Sequence, residues 1–329
     1  MVAFWRLAVL TCAVAAVALS PPGSPAGAAA VQFAALRQPA FFQAAADKAA
    51  EDAAQLTDRG DLEGARKVLD QALKQYPRSA ALHKVAASLE FNAGRFDAMR
   101  KELLLASQCD PNDSETYLNL ALLELSQGQY SHAMPPLKDY IRLKPADARG
   151  HLLLGRAYLN RNLTLEAVPE IRKALALDPQ LPMAHHDLGL AQMNLGRSEE
   201  ALEEFRKEIE VNPSFAGSYL RAGTIELEHD RVSEAEEFLR QATARDPSGA
   251  NAHFELAQCY LREHQPDAAE GEYRQAIALD EKLIRAHYGL GQALLALGKK
   301  EEARKEFQLY AELLARRRKS QSGISAAHE

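Results

Sequence analysis

Cysteine occurs three times in this 329-residue chain, tryptophan once, and only one long apolar run is present. Each scarcity excludes something. Cys12, Cys109 and Cys259 are too few for a fold built on disulfides. Glycine and proline together number 33 (18 and 15), so the chain is not a low-complexity polymer. Basic residues are not in excess: 39 Lys and Arg face 45 Asp and Glu, for a net charge of −6. Non-specific nucleic-acid binding needs a basic face, so no nucleic-acid partner is expected. A phosphate-binding P-loop, a Gly-rich dinucleotide turn and a nucleophile elbow are also missing. The sequence therefore calls for no cofactor, no metal and no catalytic residue.

The one apolar run, Leu7–Leu19, follows a single cation at Arg6 and ends in Pro21, Pro22, Gly23 and Pro25. Its 13 residues fall short of the roughly 20 that span a bilayer. Ala26, Ala28 and Ala30 then offer small residues for a cut. Residues 1–30 are expected to be a secretory signal peptide, cleaved within Ala26–Ala30, which leaves no stable membrane span. The chain is thus expected to be exported: periplasmic, in the cell envelope, or secreted. A lipoprotein acceptor at Cys12 is the weaker alternative, because Thr11 precedes it and the Cys lies inside the apolar run.

What the rest of the sequence has is a period. Pro77, Pro111, Pro145, Pro179, Pro213 and Pro247 are spaced by 34. With that proline as position 32, eight units tile 46–317, starting at Ala46, Ala80, Ser114, Ala148, Pro182, Ala216, Ala250 and Ile284. Position 8 is always Ala or Gly, position 20 is Ala in all but Met99, and position 24 is large, from Leu69 to Phe307. Two apolar stripes at helical spacing fill each unit. Gly60, Gly94, Gly128, Gly196 and Gly298, with Asn162, fall between the stripes, where a left-handed residue ends a helix. Each proline at position 32 ends the second helix. Pro135, Pro136 and Pro169 lie inside second helices and are expected to kink them. No such hairpin buries its faces alone, so the units must stack.

These recurring residues resemble the tetratricopeptide repeat (TPR) family, in unbroken register over 46–317. The resemblance implies an all-α, right-handed superhelical solenoid of eight tandem helix–turn–helix repeats. First helices would line a concave face and second helices a convex one. A lead-in at 31–45, with Phe41 and Phe42 packing on the first repeat, and a flexible tail at 318–329 complete the expected organisation. Asp52 at the usually apolar position 7 suits a polar N-terminal cap. Cys109 and Cys259 lie 150 residues apart, so in a stacked array both are expected to be free thiols.

His83, His151, His185, His253 and His287 recur at position 4. Neighbours one hairpin apart, at about 10 Å, cannot share a zinc ion, whose ligands lie about 2 Å away. The ladder is expected to be packing. In the resembled fold, positions 2, 5, 6, 9, 12 and 13 of each first helix face the groove. There the partner-binding residues are expected to include Lys84, Asn119, Arg149, Arg156, Asn160, Asn194, Arg221, Arg262 and Arg285, with Phe254 and Tyr288 as apolar contacts. Some TPR domains hold a C-terminal carboxylate with Lys, Asn, Asn, Lys and Arg. The matching positions here are Lys84, Ser88, Asn119, Arg149 and Leu153, of which only Lys84 and Asn119 are identical. Sequons at Asn112 and Asn162 fall in expected turns, and Arg316–Lys319 forms a basic run.

Signal and repeats leave only 31–45 and 318–329, too little for an active site. The expected function is a non-enzymatic scaffold that takes a peptide or partner helix into its groove, in envelope or secreted assemblies. The alternative, a groove binder or carrier of glycan or another non-protein ligand, would favour aromatic stacking faces, and the lone Trp5 lies in the signal segment.

Overall fold

The structure, a computed structural model, describes residues 43–325. The signal segment, Phe41, Phe42 and all but the last three residues of the lead-in lie outside the described residues. Among those described, every regular element is an α-helix, and there are sixteen, paired into eight hairpins. The chain divides into two compact units, Met1–Pro145 and Ala146–Glu329. The first holds α1 (43–58), α2 (Leu62–Gln75), α3 (Ala80–Asn92), α4 (Phe96–Cys109), α5 (Ser114–Ser126) and α6 (Tyr130–Leu143). The second holds α7 (Ala148–Asn160), α8 (Thr164–Leu177), α9 (Ala184–Asn194), α10 (Ser198–Val211) and α11 (Ala216–Glu228). It continues with α12 (Val232–Arg245), α13 (Ala250–Arg262), α14 (Pro266–Leu279), α15 (Ile284–Ala296) and α16 (Lys300–Ser325).

Within each unit the helices of a hairpin pack on each other and the second packs on the first helix of the next hairpin. First helices of successive hairpins also touch, as α7 with α9, α11 with α13, and α13 with α15. This is the stacking of a TPR solenoid. The recurring small and large residues cause it. In the first unit Ala53 shares a core with Leu69, and Ala87 with Leu103. In the second unit glycine stands at this position in four of five repeats, and the facing side chain fills the space of its missing Cβ: a Cβ on Gly189 would stand 2.7 Å from the Phe205 ring. At α13–α14 the large residue is Tyr273, and the room for it is made from the next hairpin, by Gly289.

The eight hairpin turns share one device. Position 15 has positive φ in every unit, at Gly60, Gly94, Gly128, Asn162, Gly196, Asp230, His264 and Gly298. For Asp230 and His264 this costs about 1–2 kcal/mol, whereas glycine takes the conformation freely. A further left-handed residue, Met183 (φ 72), delays the start of α9 to Ala184. Pro182 precedes it, and the fully buried Glu208 of α10 caps the frayed start: Met183 and His186 donate backbone N–H bonds to its two oxygens, at 2.7 and 3.3 Å.

The helices holding Pro135, Pro136 and Pro169 run unbroken from Tyr130 to Leu143 and from Thr164 to Leu177. The last helix continues over 318–325. Cys109 and Cys259 are both free. No helix among the described residues is long and apolar enough to cross a membrane.

Candidate functional site

Many polar groups that the repeat brings together are satisfied internally, and this separates structural polarity from available polarity. Each ladder histidine pairs with a glutamate 19 residues on, across its own hairpin. His83–Glu102, His151–Glu170, His185–Glu204, His253–Glu272 and His287–Glu306 all lie within 2.6–2.8 Å. His83 and His253 also place Nε2 at 3.1 Å from the carbonyls of Pro77 and Pro247. With an acceptor at each nitrogen, the His83 ring suits the doubly protonated form. The hydrogen bond to Glu102 raises the His83 pKa above its ordinary 6.5. The ladder is thus packing with a hydrogen-bonded partner that the sequence reading did not name. Buried glutamates form a second set: Glu90 takes Arg66 and Arg95, Glu124 takes Arg100, and Glu226 takes Arg206 and Arg231.

First helices contribute to two adjoining pockets in the first unit. In the first unit a pocket of about 420 Å³ is walled by α1, α3 and α5. Every residue lining it occupies position 2, 5, 6, 9, 12 or 13 of its repeat; Glu51, Asp58, Lys84, Ser88, Glu115 and Asn119 supply its polar wall. A second pocket, of about 400 Å³, shares Lys84, Ser88 and Asn119 with the first and, Ser126 apart, is otherwise apolar, with Phe91, Phe96, Met99 and Leu122 in its lining. Met99 stands where the seven other repeats bury an alanine completely or nearly so, and the pocket opens beside this departure. Lys84 is not free for a ligand carboxylate. Its Nζ donates to Glu115 Oε2 at 2.7 Å and lies 3.0 Å from Asp113 Oδ2. Burial opposes its charge, but these two carboxylates outweigh it and raise its pKa.

In the second unit the expected residues are used differently. Arg149 is held by Asp147 at its own helix start, at 2.6 Å. Arg156 reaches the next first helix, where Nε donates to Asp187 Oδ2 at 2.8 Å. Asn160 Nδ2 donates back to the Arg156 carbonyl at 2.9 Å, and Asn194 is exposed. Arg262 Nη1 donates to the Leu227 carbonyl at 2.6 Å and to Asp230 at 3.3 Å. Arg221, Arg262 and Arg285 surround Glu255, whose carboxyl is pushed up by burial and held back by those cations. Among the described residues, Arg221 and Arg285 have no carboxylate at ion-pair distance.

Phe254 corrects the sequence reading. It is 5% exposed, packs edge-on against Tyr273 at 5.9 Å, and lies under the Arg285 guanidinium at 4.9 Å. It therefore belongs to the core and presents Arg285 to the surface. Tyr288 is exposed but leans on Phe307 and Tyr310.

His185 and His186 point apart, to Glu204 and to Ser218 Oγ (3.0 Å). Burial lowers the His186 pKa to about 4 and raises that of Asp187 to about 6. Among the described residues no group of His, Cys, Asp and Glu has a metal-binding arrangement. Burial pushes the Cys259 thiol up to about 12, so it stays protonated and unreactive. The inner-face positions offer carboxylates and an apolar pocket in the first unit and guanidinium groups in the second. Asn112 and Asn162 are exposed in turns.

Comparison with known proteins agrees with this geometry. Two tetratricopeptide repeat models match, one at 118–182 and 186–250, the other at 56–123. A model described as anaphase-promoting complex, cyclosome, subunit 3 matches 228–308. No functionally curated protein matches the chain. Among solved structures, the C-terminal part of a TPR protein from Cytophaga hutchinsonii is 16% identical, with a TM-score of 0.57, covering 73% of this chain and 99% of that one. The APC/C hetero-tetramer Cut9–Hcn1 is 18% identical, with a TM-score of 0.56, covering 74% and 48%. Crystalline MamA is 25% identical over 50% of this chain and 97% of its own, with a TM-score of 0.46. The first two likenesses show the fold alone.

Proposed function

The chain belongs to the tetratricopeptide repeat family, and on that premise we propose that it is a non-enzymatic scaffold. It binds a protein segment, a peptide or a partner helix, along the inner face of its first helices. One observation carries this reading: the pocket walled by α1, α3 and α5 is lined solely by inner-face positions of the repeat. Cut9–Hcn1, which shares the fold, is a hetero-tetramer, in keeping with a fold that works by assembly.

We further propose that the scaffold acts after export, in the periplasm, the cell envelope or outside the cell. The support is the apolar run Leu7–Leu19 and the small residues after it. N-terminal sequencing of the mature chain should begin within 27–31. An intact Met1 in the purified native protein would contradict export by cleavage.

The functional test is cross-linking of the full chain in its native cells, followed by identification of what is captured. Recovery of the same protein partner in repeated captures is expected. Capture of glycan alone, or substrate turnover by the purified chain, would overturn the reading.

A further inference from the structure

The two adjoining pockets of the first unit differ in chemistry, and their difference specifies an occupant. The one walled by α1, α3 and α5 carries Glu51 and Asp58, both exposed. They are seven residues apart on α1, two turns, and so lie on one face of the helix. Among the described residues no cation lies within ion-pairing distance of either. The one cation in the wall, Lys84, is already held by Glu115 and Asp113. Its charge is met from inside the protein, and the pocket keeps an excess of negative charge. The neighbouring pocket is apolar. Phe91 and Leu122 are 57% and 44% exposed, and the Phe91 and Phe96 rings stand 6.4 Å apart with their planes 58° from parallel. Large apolar side chains left open beside a well-packed core mark a contact surface.

Lys84, Ser88 and Asn119 form the shared wall. A single bound segment that crosses this wall meets carboxylates on one side and aromatic rings on the other. The polar side chains of the wall can hydrogen-bond its backbone as it passes.

From this geometry we infer that the first unit binds a protein segment carrying a lysine or arginine beside a large apolar side chain. The cation enters the Glu51–Asp58 pocket and the apolar group the Phe91–Leu122 pocket. This inference rests on the scaffold reading and sharpens it. It also reverses the charge expected from the partial carboxylate-clamp pattern at Lys84 and Asn119, because the lysine that would grip a carboxylate already holds two.

The test uses the full chain and short capped peptides, followed by fluorescence polarisation near physiological salt. One set places Lys next to a Leu–Phe pair, in every spacing that an extended chain can bridge between the pockets. A twin set replaces each Lys with Glu. The basic set should bind at least about 10-fold tighter than its twin, the scale of a few exposed charge contacts. Phe91→Ser with Leu122→Ser should weaken the basic set by about 10- to 100-fold, the equivalent of exposing one large apolar side chain. Glu51→Lys with Asp58→Lys should reverse the preference between the sets, a gain that misfolding cannot mimic.

Equal or tighter binding of the acidic set, no binding of either set, or indifference to these substitutions overturns the inference. If the acidic set binds and Arg221→Glu abolishes that binding, the segment sits on the second unit: the scaffold reading stands and this inference falls. Failure to capture any protein partner in native cells removes both.

Discussion

Across α1, α3 and α5 the inner-face positions carry Asp47, Glu51, Asp58 and Glu115 against one cation, Lys84. Across α7, α9, α11, α13 and α15 the same positions carry five arginines, 149, 156, 221, 262 and 285, against Asp187, Glu228 and Glu255. One repeat thus displays an acidic, apolar-flanked face in the first unit and an arginine-rich face in the second. The packing positions behave in the opposite way. Position 20 is a buried alanine in seven of eight repeats, and position 24 is always a large residue. A packing residue must fit a neighbour inside the same chain, whereas an inner-face residue is freer to answer to a partner. The divergence of the two faces therefore locates specificity, and the uniformity of the core locates stability.

That division can be broken most forcefully in the core. Phe205 is fully buried, and Phe205→Ala should cost about 3–5 kcal/mol, read as a lower urea midpoint. The exposed inner-face substitution Leu122→Ala should stay within about 0.5 kcal/mol. If the two cost the same, stability and specificity are not separated as described.

Next in size is a pH effect special to the second unit. Burial raises the Asp187 pKa from 3.8 to about 6, so its contribution is fully present below 3.8 and is lost as pH rises through 6. Burial lowers the His186 pKa from 6.5 to about 4, so its contribution is present above 6.5 and is lost as pH falls through 4. Each is on the order of 3 kcal/mol and they oppose each other. The wild type should therefore show a shallow pH dependence between 4 and 6.5. Asp187→Asn should make stability fall on acidification across that window, and His186→Phe should make it fall as pH rises. Parallel melting-temperature profiles for the three proteins would contradict this pairing.

Smaller again is the difference in hairpin packing. Gly189→Ala drives a methyl into the Phe205 ring and should cost about 1–3 kcal/mol. Phe205→Leu in the same chain should recover much of that loss, since the first unit pairs alanine with leucine at these two positions. No recovery in the double variant would mean that the two positions are not coupled. The smallest effect belongs to the arginine face: Arg221→Gln should leave stability within about 0.5 kcal/mol, because no ion pair is lost.

The sequence carried the repeat register, the helical hairpins and the left-handed turns at glycine and Asn162, because each follows from local sterics. Asp230 and His264 take the same left-handed turn although neither is glycine or asparagine, the residue types the turn positions were read from. The His–Glu ladder was legible in the repeats themselves. Where position 4 is Ala49, Tyr117 or Tyr219, the position 19 residues on is Val68, Pro136 or Phe238, never glutamate. The occupation of Lys84 was not legible, because its partners are distant in sequence: Asp113 closes its own repeat and Glu115 lies in the next. Nor was the burial of Phe254, which depends on Tyr273 across the hairpin and on Arg285 one repeat further on.

The central claim, that partners are bound by first-helix faces, is tested most directly by a photo-cross-linking scan of the full chain in its native cells. A photoreactive residue is placed in turn at Phe91, Leu122, Arg221 and Arg285, and at the exposed second-helix positions Lys101, Arg172 and Glu237. The account predicts protein adducts from at least one first-helix site and none of comparable yield from the second-helix sites. Adducts confined to Lys101, Arg172 and Glu237 would contradict it.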